Sequence, residues 1–326
     1  MKTLTGLLAC AVLSSAQSAE LPLPRDGWVS WEVAATENAP AWCCWGAGQT
    51  GHAPPATCRL DRREGFGIGG GHRDATTDSV KVYAHLAAGK VDRLQVLAAS
   101  CPVETSTPIK TLASVAGDDS ARWLVDRVRQ DGAERRSTGE DALAALAMHR
   151  GEVARDALLN FARNDKHVET RKSAIFWLAM LRGAEGAEIT SAVMFKDENA
   201  EVRKHAAFAM AQTRSARAEA DLIRQGNTDK VGDVRAQAWF WLAQTGAPGA
   251  EQAIAAALRK DADEHVREQA IFALSQLPED RSTPALVAAA EDRSLPRELR
   301  KRAVFWLAQS ESVSAQAYLE KVLARN

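Results

Sequence analysis

A chain of 326 residues, 46% hydrophobic and 25% charged, holds enough apolar side chains for a packed core and too many for a disordered segment. Its 41 Lys and Arg nearly balance its 42 Asp and Glu. That balance excludes a nucleic-acid-binding surface spread over the whole molecule.

Residues 1–19 read as a secretory signal peptide. Lys2 supplies the positive charge, Leu4 to Leu13 is a short apolar run, and small residues lead to a cleavage site around Ala16 to Ala19. The run is too short to span a membrane, and no later stretch approaches the ~20 apolar residues a span needs. The expected location is therefore periplasmic or secreted. Leu7-Leu-Ala-Cys10 faintly resembles a lipoprotein processing site, but only nine residues precede that cysteine.

Residues 20–112 read as a small β-rich, cysteine-containing domain. Apart from Cys10 in the signal-like segment, the cysteines Cys43, Cys44, Cys58 and Cys101 all lie in it, and the repeats have none. Four cysteines in an exported domain imply two disulfides. Neighbours seldom bridge each other, so one of Cys43 and Cys44 is expected to pair with Cys58 and the other with Cys101. The alternative is a zinc site using Cys43 or Cys44, Cys58 and His52 or His72, although the spacing fits no strong zinc pattern. Trp28 to Val33 looks like a strand. Cys43 to Thr77 is a loop rich in Gly, Pro and Thr; its Gly65 to Gly71 run lacks the Lys-Ser/Thr of a phosphate-binding loop and reads as a flexible turn. Val80 to His85 and Val91 to Leu97 alternate around Gly89-Lys90, a hairpin pattern. Trp28, Trp31, Trp42 and Trp45 are expected partly in the core, the other use of such a cluster being a sugar or peptide platform.

Residues 113–138 read as a bridging and capping helix. Asp118 is the expected cap, and Trp123, Leu124 and Val128 follow at helical spacing.

From residue 139 to 326 the chain repeats. The stretch Arg171-Lys-Ser-Ala-Ile-Phe-Trp-Leu-Ala-Met180 recurs from Arg203, Arg235, Arg267 and Arg300, in steps of 32, 32, 32 and 33 residues. Leu143 to Gly151 aligns one period upstream as a degenerate first repeat, with Gly139 in the arginine's place. A second helix fills each interval, marked by Leu158, Thr190, Leu222, Ile254, Leu286 and Leu319; the final helix is expected from Ala315 to Arg325. Such a period in helix-forming letters marks a solenoid. With Asp followed by Val-Arg-x-x-Ala-Ala-x-Ala-Leu character, the unit resembles HEAT repeats, closest to the short type first described in phycobilin lyases. The resemblance implies a mainly α fold: an α-solenoid, a right-handed superhelix of about six helix pairs, preceded here by the β-rich domain.

Within the repeat, Asp165, Asp197, Asp229 and Asp261 each precede a repeat arginine by six residues. An aspartate there can accept backbone N–H bonds, and the arginine can donate to carboxylates and carbonyls, tying one repeat to the next. Counting the arginine as position one, positions one, four, five and eight form the packing stripe, within about 100° of the helix circumference. Position six points roughly opposite and is Phe176, Phe208, Phe240, Phe272 and Phe305. Position seven is Trp177, Trp241 and Trp306, alternating with Ala209 and Ala273. These rings either pack between repeats or form an aromatic strip on the concave face, rimmed by Lys172, Lys204, Lys301 and Arg302. An exposed strip of this kind marks an interaction site.

No nucleophile–base–acid set and no cofactor motif stands out. HEAT-like hydroxylases of a protein lysine derivative bind two irons through His-Glu pairs; no histidine here precedes a glutamate, and Glu264-His265 runs in reverse. Phycobilin lyase and DNA-glycosylase readings are opposed by the export signal and the charge balance. The expected function is an exported, non-enzymatic scaffold whose concave face holds a protein or peptide. The alternative is an envelope enzyme or metal- or ligand-binding protein with its site around Trp42-Cys-Cys-Trp45, His52 and His72.

Overall fold

The computed structural model describes residues 21–44, 57–62, 75–134, 136–213 and 215–324. The signal-peptide reading, Cys10, Trp45, His52, His72 and the Gly65 to Gly71 run lie outside the described residues.

Six strands come first among the described residues: β1 (Gly27–Ala34), β2 (Cys58–Arg59), β3 (Ser79–Ala87), β4 (Lys90–Ala98), β5 (Val103–Glu104) and β6 (Ile109–Thr111). Four form one sheet in the order β4–β3–β1–β6, with β1 antiparallel to β3 and parallel to β6. β2 and β5 make a separate parallel pair. The expected hairpin is β3–β4. Ala88 and Gly89 turn it with φ of 51° and 77°, the doubly positive turn whose twist matches that of the strands.

β1 is buried on both faces, so its residues alternate between two cores. Val29, Trp31 and Val33 pack with the helices, while Trp28 packs with Tyr83, Leu97 and the cysteines. Cys43 is bonded to Cys101 and Cys44 to Cys58, one of the two arrangements that the sequence left open. The zinc reading is overturned, because the sulfurs it needed as thiolates are bonded to each other.

Thirteen helices follow among the described residues: α1 (Gly117–Asp131), α2 (Thr138–Met148), α3 (Glu152–Asn164), α4 (Val168–Leu181), α5 (Gly183–Lys196), α6 (Ala200–Gln212), α7 (Ala218–Thr228), α8 (Gly232–Gln244), α9 (Ala250–Lys260), α10 (Glu264–Ser275), α11 (Glu279–Glu291), α12 (Arg297–Ala308) and α13 (Val313–Leu323). The first is the bridging helix, and the remainder pair as α2/α3 through α12/α13. Asp118 is not the cap of α1. The helix starts two residues earlier, its N-cap is Ala116 with no side-chain bond, and Asp118 and Asp119 sit in the first turn, where carboxylates meet the positive helix end. The last helix also begins and ends two residues before the expected bounds.

Even-numbered helices carry the recurring arginine stretch; odd-numbered ones carry Leu158, Leu222, Ile254 and Leu286, all buried. The first repeat departs at Gly139 for a steric reason. A Cβ there would collide with the carbonyl of Gly132 in the α1–α2 connection, so no arginine fits.

The sheet and the helices share one hydrophobic core. Their seam is also hydrogen-bonded: Thr36 N donates to Met148 O at 2.8 Å and Arg150 N to Ala34 O at 3.0 Å. Arg182 adds bonds to Thr36 Oγ1 at 3.0 Å and to His149 O at 2.9 Å. Beneath lies a buried relay. Trp31 Nε1 donates to Ser120 Oγ at 2.7 Å, Ser120 Oγ meets His149 Nε2 at 2.8 Å, and His149 Nδ1 lies 2.7 Å from Ala145 O. Burial drives the His149 pKa down to about 4, so the ring is neutral at neutral pH. The Ala145 carbonyl can only accept, which places the proton on Nδ1 and leaves Nε2 to accept from Ser120.

Candidate functional site: the inner face of the array

The even-numbered helices lie closer to one another than the odd-numbered helices do, which makes theirs the inner, concave side. Two side-chain ladders run along this row, and their chemistry differs.

The first is a buried seam. Arg171, Arg203 and Arg235 each grip the aspartate of the next repeat with two nitrogens: Asp197 at 3.0 and 3.3 Å, Asp229 at 2.7 and 3.0 Å, Asp261 at 2.8 and 2.8 Å. A third nitrogen donates to the backbone carbonyl of the preceding aspartate, at 2.8 to 2.9 Å. The same aspartates accept the N–H two residues on. Burial opposes ionisation of Asp261, but the Arg235 bond and the Asp263 amide outweigh it and hold its carboxyl below the usual range. The seam ends at α10. There Arg267 donates to Leu258 O instead, and Asp292, which comes 31 rather than 32 residues after Asp261, is taken by Arg259.

The second ladder is aromatic. Trp42, from the loop after β1, stands 5.6 Å from Trp177. Phe176 meets Trp177 at 5.0 Å and stacks on Phe208 at 5.8 Å, with planes 3° apart. Phe208 touches Trp241 at 4.8 Å, Trp241 touches Phe240 at 4.9 Å, and Phe240 stacks on Phe272 at 5.7 Å and 8°. Phe272 meets Trp306 at 5.0 Å, and Trp306 meets Phe305 at 5.3 Å. The alternation of Trp and Ala is thereby explained. Ala209 and Ala273 are fully buried, and their small size lets Trp241 and Trp306 lean onto the phenylalanine of the repeat before.

The two packing readings therefore both hold a share. Trp177 is only 6% exposed, whereas Phe305 is 54% exposed, and Phe176, Phe208, Phe240, Phe272, Trp241 and Trp306 are half-buried. The lysines are not free charges: Lys172, Lys204 and Lys301 pair with Glu169, Glu201 and Glu298, each one helical turn before, at 2.9, 2.7 and 2.9 Å.

The structure adds residues that the sequence reading passed over. A cleft of about 430 Å³ opens over α6, α8 and α10, lined by Lys204, Asp233, Gln237, Phe240, His265, Gln269 and Phe272. His265 Nε2 lies 3.4 Å from Asp233. His205 packs on Phe208 at 5.4 Å, its Nε2 is without a partner, and burial lowers its pKa to about 4. One signal was available: position three reads Ser173, His205, Gln237, Gln269 and Arg302, polar in each full repeat and three residues before each phenylalanine. Side chains so spaced share a helix face.

Among the described residues no three His, Cys, Asp or Glu side chains converge to hold a metal, and no helix is long and apolar enough to cross a membrane. The family model for HEAT repeats matches residues 155–239 and 222–308. No curated protein matches the chain. Among solved structures, human deoxyhypusine hydroxylase in complex with glycerol is similar at 14% identity, covering 63% of this chain and 90% of that one, with a TM-score of 0.29. Escherichia coli YibA is similar at 22%, covering 56% and 67%, with a TM-score of 0.36. An engineered protein follows at 19%, covering 58% and 78%, with a TM-score of 0.21. At those values none of the three speaks to what this chain does.

Proposed function

We propose that this α-solenoid of HEAT repeats is an exported, non-enzymatic scaffold that holds a protein or peptide on its inner face, its repeats being of the short phycobilin-lyase-like type. The observation that carries the reading is the aromatic ladder: rings in mutual contact run from Trp42 to Phe305, most of them half-buried, with Trp177 sunk and Phe305 exposed. A half-buried ring still offers apolar area to a partner, and aromatic anchors supply much of interface energy. Export is supported by the signal-like residues 1–19 and by two disulfides, which persist in oxidising compartments. The near-neutral charge favours a protein over a nucleic acid.

The test is capture from an envelope extract by immobilised protein. Wild type is compared with Phe208→Ser/Phe240→Ser and with Lys260→Glu, an exposed site on α9 away from the ladder, each checked by circular dichroism. The expected result is a partner held by wild type and Lys260→Glu and lost by the folded phenylalanine variant. If that variant unfolds, Gln237→Arg/Gln269→Arg takes its place. A folded inner-face variant that keeps every partner would end this reading.

A further inference from the structure

We propose that the cleft over α6, α8 and α10 takes an uncharged, proline-rich segment in the polyproline II conformation. The inference rests on the reading of the inner face as a peptide-holding surface and states which peptide fits.

Three observations select that ligand. The first is hydrogen-bonding capacity. Gln237 and Gln269 line the cleft, and neither side-chain amide bonds to another described residue. His205 stands at the same register with its Nε2 also unpartnered. A free amide donates two N–H groups and accepts through its oxygen, which suits peptide carbonyls better than any ion.

The second observation is charge. Lys204 is paired with Glu201 at 2.7 Å, Asp233 with His265 at 3.4 Å, and Glu268 with Arg302 at 3.0 Å. Lys204 and Arg302 are thus already engaged, so an anionic ligand would have to break these pairs.

The third is spacing. Two successive repeats present an amide and a ring one helical turn apart: Gln237 with Phe240, Gln269 with Phe272. Neighbouring helices pack roughly 8–10 Å apart. A polyproline II helix turns once per three residues, at about 3.1 Å each, so it offers the same edge about every 9 Å. A β-strand of three residues covers about 10 Å but has reversed its facing, because successive groups alternate. The polyproline backbone leaves its carbonyls unbonded, ready for the Gln237 and Gln269 donors. Proline rings stack on aromatic floors, and a preformed helix loses little conformational entropy on docking.

The experiment is isothermal titration of the full chain with three capped peptides of about twelve residues, four turns of the helix: an Ala-Pro-Pro repeat, a Gly-Ser repeat and a Glu-Pro-Pro repeat. The Ala-Pro-Pro peptide is expected to bind saturably and at least about tenfold more tightly than the other two. Gln237→Leu/Gln269→Leu is expected to weaken it about tenfold or more, with an unchanged melting temperature. Equal affinity for the Gly-Ser peptide, or unaltered affinity in the folded glutamine variant, overturns the proposal. So does absence of any Ala-Pro-Pro binding. If the Phe208→Ser/Phe240→Ser variant still loses its captured partner in that case, the inner-face reading stands and only the proline-rich ligand falls. If capture is also indifferent to those rings, both fall.

Discussion

Two sets of residues recur with the same period in the same helices, and they behave differently. The arginine–aspartate seam is closed. Arg203 and Asp229 have side chains 4% and 6% exposed, and both donors and acceptors are answered within the array. The aromatic face is open. Most of its rings are half-buried, the amides of Gln237 and Gln269 are unanswered, and a cleft lies above them. The seam also stops at α10, where Arg267 turns to a carbonyl, while the rings continue to Phe305 on α12. Recurrence by itself therefore does not separate what builds a solenoid from what it presents. Satisfaction of polar groups does, because a group needed only for folding finds its partner in the fold.

The comparison breaks most sharply at Arg203. Removing one side of a buried pair leaves an uncompensated charge, so Arg203→Ala is expected to lose about 3–5 kcal/mol in urea unfolding. Arg267→Ala, beyond the end of the seam, should lose clearly less. Equal losses would mean that the carboxylate grip adds nothing over an ordinary carbonyl bond.

The buried His149 gives the next largest effect. Its pKa is 6.5 when unfolded and about 4 when folded. Between those values the unfolded chain binds a proton that the folded chain refuses. Stability is thus complete above pH 6.5 and falls as pH drops toward 4, by about 3 kcal/mol. His205 acts in the same direction. Unfolding at pH 7.5 and pH 4.5 should show the loss, and His149→Gln should flatten the slope; a slope unchanged in that variant would remove His149 as its source.

On the open face, Ala209→Trp should cost about 1–3 kcal/mol, because Trp241 already occupies the space over Phe208. Adding Trp241→Ala should recover part of it, a coupling measurable by a double-mutant cycle. Strict additivity would show that the two sites do not share that space.

The smallest effect sharpens the contrast. Gln237→Leu/Gln269→Leu should change stability by less than about 0.5 kcal/mol, although these residues hold one register in successive repeats, as the seam arginines do. A large loss would place them in the seam's class.

Much of this was readable in the residues. The exclusion of a Cys43–Cys44 bridge followed from the impracticality of bridging neighbours, though the choice between the two remaining pairings did not, and the strands of the hairpin followed from alternation around Gly89. The seam followed from Asp and Arg at fixed spacing. The site was readable only in part. Phe176 through Trp306 announced themselves by periodicity, but Gln237 and Gln269 did not, because a polar residue on an outward helix position is the ordinary case. Lys204 looked like a free cation in the sequence and is paired with Glu201, since one turn of helix brings the two together.

The residues alone specified the repeat, its helices and the face that carries the aromatics, because each is a local or strictly periodic property of the chain; they narrowed the cysteine pairing to two arrangements without choosing between them. Tertiary structure alone decided how the sheet joins the array through Trp31, Ser120 and His149, residues separated by up to 118 positions. It also decided why Gly139 replaces the arginine, how deeply each ring is sunk, and which polar groups are left without partners. Those depend on which surfaces close over one another, and spacing along one helix does not specify what the neighbouring layer covers.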